Sequence, residues 1–463
     1  MLIKGKWVET DRKLSIKNPY DGKVAGAVSL ATKEDVKAAA KDAKGYRPGL
    51  SAYERSLILM RTADELEKKA GDYAASISGE SGMCVKDAKK EVARAVNILT
   101  VAAEEAKRIT GESIFTDISE SAKRNLAVTM REPVGLVLAI TPFNRPLNQV
   151  VVKLAPAIAA NNSVILKPSE KTPLTAIKFV RALIDNGLPA RMVSVVTGHP
   201  GEIGDALVSS PYIDMITFTG SREVGEHIAG AAGMVKTTFE LGDNGALIIM
   251  DDADLKKAVT TAVAGSYGNA GQSCRGIKRI LVQKGIEKAF VEALKAQTVK
   301  LKVGDPRSED TDIGTLISEE AASVIEKRIK DAVKDGARLV CGGKRVRAQI
   351  TPAVLTGVRR DSDIVAKETF GPCAPVVTIK DIEDAVGYVN STEYGLQTGI
   401  FTKDLEKAFY AARELRVGSV IINNGPQFDS PAIPFGGVKA SGLGREGVRF
   451  AINEMTTIKT IVF

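Results

Sequence analysis

Cys274 stands in the string Asn269-Ala270-Gly271-Gln272-Ser273-Cys274-Arg275-Gly276, between a helical pattern and a strand pattern. Glycines on both sides suggest exposed backbone around a positioned thiol, as a nucleophile requires, although a lone cysteine is more commonly a small core hydrophobe. Two other strings bear on that choice. Phe239-Glu240-Leu241-Gly242 puts a carboxylate at the end of an otherwise apolar strand. A buried glutamate is unusual unless it is paired or tuned for proton transfer. Thr141-Pro142-Phe143-Asn144-Arg145-Pro146 follows another strand and precedes a helix. There the Asn144 amide could face a developing oxyanion, or could simply close an Asx turn.

Other chemistries have less to draw on. The chain contains only two histidines, His199 and His227, so a multi-histidine metal site is excluded and a His-dependent triad is poorly served. Neither a GxSxG elbow nor a GxxxxGK[ST] phosphate loop occurs. A GxGxxG does occur, at Gly442-Leu443-Gly444-Arg445-Glu446-Gly447, but it follows a loop and lies too near the C-terminal residue for a βαβ unit to fit after it. It reads as structural loop glycine.

The elements that must position these residues alternate. A capping box at Thr32–Asp35 opens a helix, and a long helical pattern runs from about Arg55 to Lys107, with breaks at Gly71 and Gly79–Gly82. From Val134 onward, short apolar runs alternate with helical ones through Leu241, and a second such series begins at Ala246. That spacing predicts parallel sheets covered on both faces, an α/β fold. The segment Asn423–Gly447 reads as loop. The β-prone Thr457–Phe463 has no later partner and is expected to join a sheet edge in this chain or a neighbour's.

Composition sets the frame. With 463 residues, 44% hydrophobic and 26% charged, the chain suits a two- or three-part globular protein. Its net charge of +8 is spread without a basic arm, which disfavours nucleic acid. No apolar run reaches the ~18 residues of a membrane span. The opening MLIKGKWVET has no apolar signal core, and the four cysteines form no CxxC pair, so a reducing cytoplasm is expected, without metal or disulfides.

Taken together, TPFN (141–144), LKPSEKTP (166–173), FTGS (218–221), ELG (240–242), GQSC (271–274), KETFGP (367–372) and PFGGVKASGLGREG (434–447) resemble the aldehyde dehydrogenase superfamily in order and spacing along nearly the whole chain. The resemblance implies a Rossmann-like cofactor domain (1–117 and 132–241), an α/β catalytic domain (242–425) and a small β oligomerisation element (118–131 and 448–463), with a homodimer or homotetramer expected. It implies Cys274 as nucleophile and an oxyanion held by the Asn144 amide and the Cys274 N–H. Hydride leaves to a nicotinamide, and Glu240 activates the water that hydrolyses the thioester.

For the cofactor, the resemblance carries Lys167 and Glu170 onto the adenosine ribose and Glu368, beside Phe370, onto the nicotinamide ribose. Ser221, at a helix start, falls on the pyrophosphate. Thr141, Pro142, Phe143, Thr219, Gly220 and Leu241 complete the set. Glu170 favours NAD by repelling a 2′-phosphate, while Lys167 leaves NADP open.

Arg94, Arg145 and Arg275 fall near the implied substrate pocket, and arginine suits carboxylate, phosphate or sulfonate. The stretch 144–174 is similar to phosphonoacetaldehyde dehydrogenases and, less closely, to lactaldehyde and non-phosphorylating glyceraldehyde-3-phosphate dehydrogenases. In phosphonate- and phosphate-oxidising members arginine usually precedes the cysteine; here Ser273 does. A small anionic aldehyde (phosphono-, sulfo- or carboxy-) is therefore expected, against a neutral, lactaldehyde-type substrate in which Arg94 and Arg275 are paired structurally. Glu240 argues against a CoA-acylating relative, and Cys274, Glu240 and Asn144 together argue against a silent one. Asp243 stands where the family usually has Gly, and would either bend the loop behind Glu240 or add a charge that raises its pKa.

Overall fold

The computed structural model describes residues 1–118, 120–122 and 125–463. Its first sheet has eight strands, in the order Lys6–Trp7, Leu2–Ile3, Val193–Val195, Ser163–Lys167, Leu136–Ile140, Met215–Thr219, Lys236–Glu240 and Gly442–Leu443. The five strands from Val193–Val195 to Lys236–Glu240 are parallel. Side-chain alternation shows why both faces are covered: Val137 and Ala139 enter one apolar core while Leu136 and Leu138 enter another.

One face is closed by a helical layer, Ala52–Lys68, Ala70–Ser81 and Val85–Ala106. Each boundary has a local cause. Ser51 and Glu54 form a capping box, Gly82 ends the second helix in the left-handed region (φ 71°), and Val92, Ala95, Leu99 and Ala102 give the third its buried stripe. The helix Asn148–Ala159, with Pro156 inside it, packs between that layer and the sheet.

The second sheet has seven strands, among them Ala246–Ile249, Arg279–Gln283, Cys373–Ile379, Gln397–Phe401 and Ser419–Ile422, all parallel to one another. Only the five residues Leu241–Gly245 separate the last residue of the strand Lys236–Glu240 from the first of Ala246–Ile249. The carboxyl end of one sheet thereby meets the amino end of the other. This is the expected α/β architecture.

The terminal strand Thr456–Val462 pairs antiparallel with this chain's own Leu126–Pro133, and Ser113–Phe115 pairs on the other side. The small sheet thus takes in residues before 118 and runs past 131. Ser119, Lys123 and Arg124, within the proposed 118–131 boundary, lie outside the described residues. The loop Asn423–Gly447 holds one surprise, because Gly442 and Leu443 add a strand to the first sheet beside Glu240 and Phe239. The first glycine of GxGxxG is required there, since a Cβ at Gly442 would sit 2.2 Å from the Phe239 carbonyl oxygen.

Candidate active site

In the first sheet, Leu136–Ile140 is flanked by Ser163–Lys167 on one side and Met215–Thr219 on the other. The strand order therefore reverses between Leu136–Ile140 and Met215–Thr219, the crevice where open α/β sheets bind ligands. Every candidate from this sheet lies at or just past a carboxyl strand end. Thr141 to Asn144 follow Ile140, while Lys167, Thr219 and Glu240 each end a strand.

The thiol loop comes from the second sheet and is bent hard. Asn269, Ala270 and Gly271 are all left-handed (φ 52°, 53° and 74°). Such a conformation costs a non-glycine residue about 1–2 kcal/mol and persists only where neighbours over-determine it. Here they do. Asn269 N donates to Asp87 Oδ2 (2.9 Å), its Nδ2 donates to the Asn144 carbonyl (2.8 Å), and Gln272 Nε2 donates to the Thr315 carbonyl (3.2 Å). Lys278 Nζ donates to the Gly271 carbonyl at 2.8 Å. Gly271 admits no side chain, because a Cβ would meet the Gly371 carbonyl oxygen at 2.1 Å.

Asn144 completes the joint. It is buried, and its Nδ2 donates to the Gln272 carbonyl at 3.0 Å, leaving a second amide hydrogen on the same nitrogen. The structure thus brings Asn144 to the backbone of the Cys274 loop. Burial pushes the Cys274 thiol up to about 11; Arg275 acts against that push, and Glu240, Glu368 and Asp243 add to it. A neutral thiol at neutral pH follows, so a base must take its proton before it attacks.

Glu240 is buried and neither carboxylate oxygen has a hydrogen-bond partner. Burial and the Glu446 carboxylate push its pKa well above the usual range, against Lys153, Arg445 and Arg275. Lys153 and Glu446 form a buried ion pair (2.7 Å), with Lys153 Nζ also 3.1 Å from Thr217 Oγ1. Sequence reasoning missed both residues. The available signal was one lysine inside the apolar run Val150–Ala160, while Glu446 lay hidden in the GxGxxG loop.

Asp243 neither bonds Glu240 nor leads the charges on it. Its carboxylate accepts from Leu396 N (3.1 Å) and Gln397 N (3.4 Å), pinning the linker between the sheets to the second one. Of the two readings for Asp243, this anchor accords with a shaping of the loop behind Glu240, and the leading charges on Glu240 come from other residues.

The cofactor candidates also converge. Lys167 is buried, its Nζ bonded weakly to the Pro168 carbonyl (3.5 Å), and burial lowers its pKa against the pull of Glu170. A buried cation so poorly satisfied fits a hydroxyl-bearing ligand. Thr219 Oγ1 is likewise buried without a partner. Ser221 caps the helix Arg222–Ala231, and Gly220 N donates to the Glu240 carbonyl (3.1 Å). Glu368 Oε1 accepts from Asp243 N (3.3 Å), and a Cβ at Gly242 would meet Glu368 Oε2 at 2.5 Å. Phe143 and Phe370 meet edge to face at 6.2 Å, Pro142 lies between Thr141 and Phe143, and Leu241 packs against Gly225.

The arginines gather around two carboxylates. Arg94 and Arg275 both reach Asp429, the latter at 2.7 Å, and Arg145 lies 3.9 Å from Glu91. Burial and the neighbouring Arg275 lower Arg94 to about 9, still a cation at neutral pH. Among the described residues no group of His, Cys, Asp and Glu could hold a metal, and no helix is long and apolar enough to cross a membrane.

Comparison with known proteins agrees with this architecture. The model of the aldehyde dehydrogenase family matches residues 7–461, and the chain belongs to that family of oxidoreductases. Among curated relatives, the 3-sulfolactaldehyde dehydrogenase of Priestia aryabhattai is 42% identical over 463 residues, covering 100% of this chain and 97% of that protein. Among solved structures, the glyceraldehyde-3-phosphate dehydrogenase of Methanocaldococcus jannaschii, complexed with NADP, superposes with a TM-score of 0.94 at 38% identity over 98% of this chain and 100% of its own. Aldehyde dehydrogenase 21 of Physcomitrella patens, in complex with the reaction product succinate, gives 0.97 at 37% identity over 100% and 97%.

Proposed function

We propose that this chain oxidises a small anionic aldehyde to its carboxylic acid, with Cys274 as nucleophile. The observation that carries the substrate reading is the arginine cluster beside the thiol, where among the described residues three guanidiniums form ion pairs with two carboxylates, Asp429 and Glu91. As a member of its family the chain takes NAD(P), which when bound supplies the hydride acceptor. Lys167, Glu170, Ser221, Thr219 and Glu368 would hold it, with Thr141, Pro142, Phe143, Gly220, Leu241 and Phe370 around it. The Glu170 carboxylate favours NAD and the buried Lys167 tolerates NADP.

Cys274 Sγ gives its proton to Glu240, which passes it on to solvent, and bonds to the aldehyde carbon as the C=O π bond opens, giving a thiohemiacetal. The spare Asn144 amide hydrogen and the Cys274 N–H hold the oxygen. After oxidation to the thioester, Glu240 takes a proton from the attacking water, whose oxygen bonds to the acyl carbon as the C–S bond breaks. A carboxylate without partners and with a raised pKa supports that role. Lys153 and Glu446 set its charge. The first sheet is the cofactor-binding part and the second the catalytic part. The small third sheet, with Ile458, Val462 and Phe463 exposed, is the contact of a homodimer or homotetramer.

The test is NAD(P)H formation by the purified chain on sulfolactaldehyde, succinate semialdehyde, phosphonoacetaldehyde and glyceraldehyde 3-phosphate, against lactaldehyde and propanal. Anionic members should exceed neutral ones by more than about tenfold in kcat/KM, about 1.4 kcal/mol. Equal turnover of neutral aldehydes would make the arginines structural and favour the lactaldehyde-type reading.

A further inference from the structure

Two guanidiniums from distant parts of the chain, Arg94 in the helix Val85–Ala106 and Arg275 beside the thiol, converge on the single carboxylate of Asp429. Asp429 is held in place by its loop. Phe428 N donates to the Gly425 carbonyl and Val448 N to the Pro431 carbonyl, both at 3.0 Å. The side chain is largely buried, at 20% exposure, so its charge is poorly screened. The third guanidinium, Arg145, faces Glu91, whose Oε1 is already engaged by the N–H groups of Leu147 and Asn148 at 2.9 and 3.1 Å. Asp87 also acts on Arg145, but it is paired with Lys90 at 3.1 Å and adds no net charge.

The three guanidiniums, Glu91 and Asp429 therefore sum to one net positive charge, and to two without Asp429, while burial pushes the carboxyl of Glu240, which Arg275 also faces, toward its neutral form. From this we infer that Asp429 sets the charge preference of the substrate pocket, so that an aldehyde with a single negative charge, a carboxylate or sulfonate, is preferred over a dianionic phosphate. A monoanion neutralises the pocket. A dianion leaves it negative within a low-dielectric site and meets the Asp429 carboxylate, an unfavourable like-charge contact. Asp429 is thus a specificity residue that touches the substrate's anion or the guanidiniums binding it. This inference rests on the anionic-aldehyde reading above.

The experiment compares kcat/KM for succinate semialdehyde, glyceraldehyde 3-phosphate and propanal in the wild type and in Asp429→Asn, which keeps an acceptor oxygen and removes the charge. The wild type should favour the monoanion over the dianion by about tenfold at pH near 7.5, and D429N should narrow that ratio at least about fivefold. The wild type also tests the idea alone. A phosphate's second proton leaves near pH ~6, so the glyceraldehyde 3-phosphate to succinate semialdehyde ratio should fall as pH rises through that value. If both anions beat propanal but the dianion equals or beats the monoanion, or if D429N leaves the ratio within about twofold, the role of Asp429 is overturned while the anionic reading stands. Propanal turned over as well as either anion overturns the anionic reading, and this inference with it.

Discussion

Glu80 and Glu91 in the helical layer are as buried as Glu240 at the junction of the sheets: their exposures are 1%, 1% and 2%. Their surroundings differ. Glu80 accepts from the N–H groups of Leu174 and Thr175 (2.7 and 2.9 Å), capping the helix Pro173–Asp185 from a neighbouring element. Glu91 does the same for Asn148–Ala159 with its Oε1, through Leu147 and Asn148, while its Oε2 accepts no hydrogen bond and faces Arg145 at 3.9 Å. Both satisfy orphan donors at the positive end of a helix. Glu240 accepts no hydrogen bond and faces the charges of Lys153, Glu446 and Arg445. Burial by itself is therefore compatible with a purely architectural carboxylate. An unsatisfied one is costly to the fold, and its presence points to chemistry.

The sharpest way to break that contrast is to remove the acid function from the unsatisfied site. Glu240→Gln should lower steady-state acid formation by about 10²–10⁴, the usual range for a general base, while the thermal midpoint holds or rises because a costly buried carboxylate is gone. Loss of activity together with a lower midpoint would put Glu240 in the architectural class. Next in size is Asn144→Ala. Removing an oxyanion donor typically costs about 10²–10³ in kcat, and the loss should appear in kcat more than in KM, read from initial rates across aldehyde concentration.

For the architectural side, Glu80 gives a pH signature. Burial pushes its carboxyl to about 7 despite the two N–H donors. A folded pKa above the unfolded one means that its contribution is full below about 4.5 and is lost as pH rises through about 7. The shift corresponds to a loss on the order of 3 kcal/mol. Denaturant unfolding of wild type and Glu80→Gln between those limits should show the wild type losing stability that the variant keeps, with kcat alike in both.

The same contrast explains what could be read from the sequence. The two parallel sheets were legible because each central strand is a short apolar run followed by a helical pattern, as in Leu136–Ile140 before Asn148–Ala159. The two-residue outer strands were not. Leu2–Ile3 and Gly442–Leu443 have two residues each, too short for any periodicity, and exist only because a distant strand receives them. At the site, Cys274, Glu240 and Asn144 stood out because a reactive residue type interrupted an ordinary pattern. Lys153 and Glu446, 293 positions apart, become a pair only in three dimensions, and Asp429 lies in a loop with no pattern to interrupt.

That buried pair supplies the finest test of the comparison. Glu446 raises the Glu240 pKa by like-charge repulsion and Lys153 lowers it by attraction, both over a larger push from burial. Where Glu240 must be ionised to act, activity has an acid limb that rises with pH through its pKa. Glu446→Gln leaves the Lys153 cation facing Glu240 with its partner's charge removed, so the limb should move to lower pH, by about one unit (~1.4 kcal/mol). Lys153→Met should move it to higher pH, and the double variant should fall between the two. The measurement is kcat against pH in each variant, using an aldehyde with no titrating group. Limbs that stay in register would show that the ion pair only supports the fold. Opposite displacements are a result that packing alone does not produce.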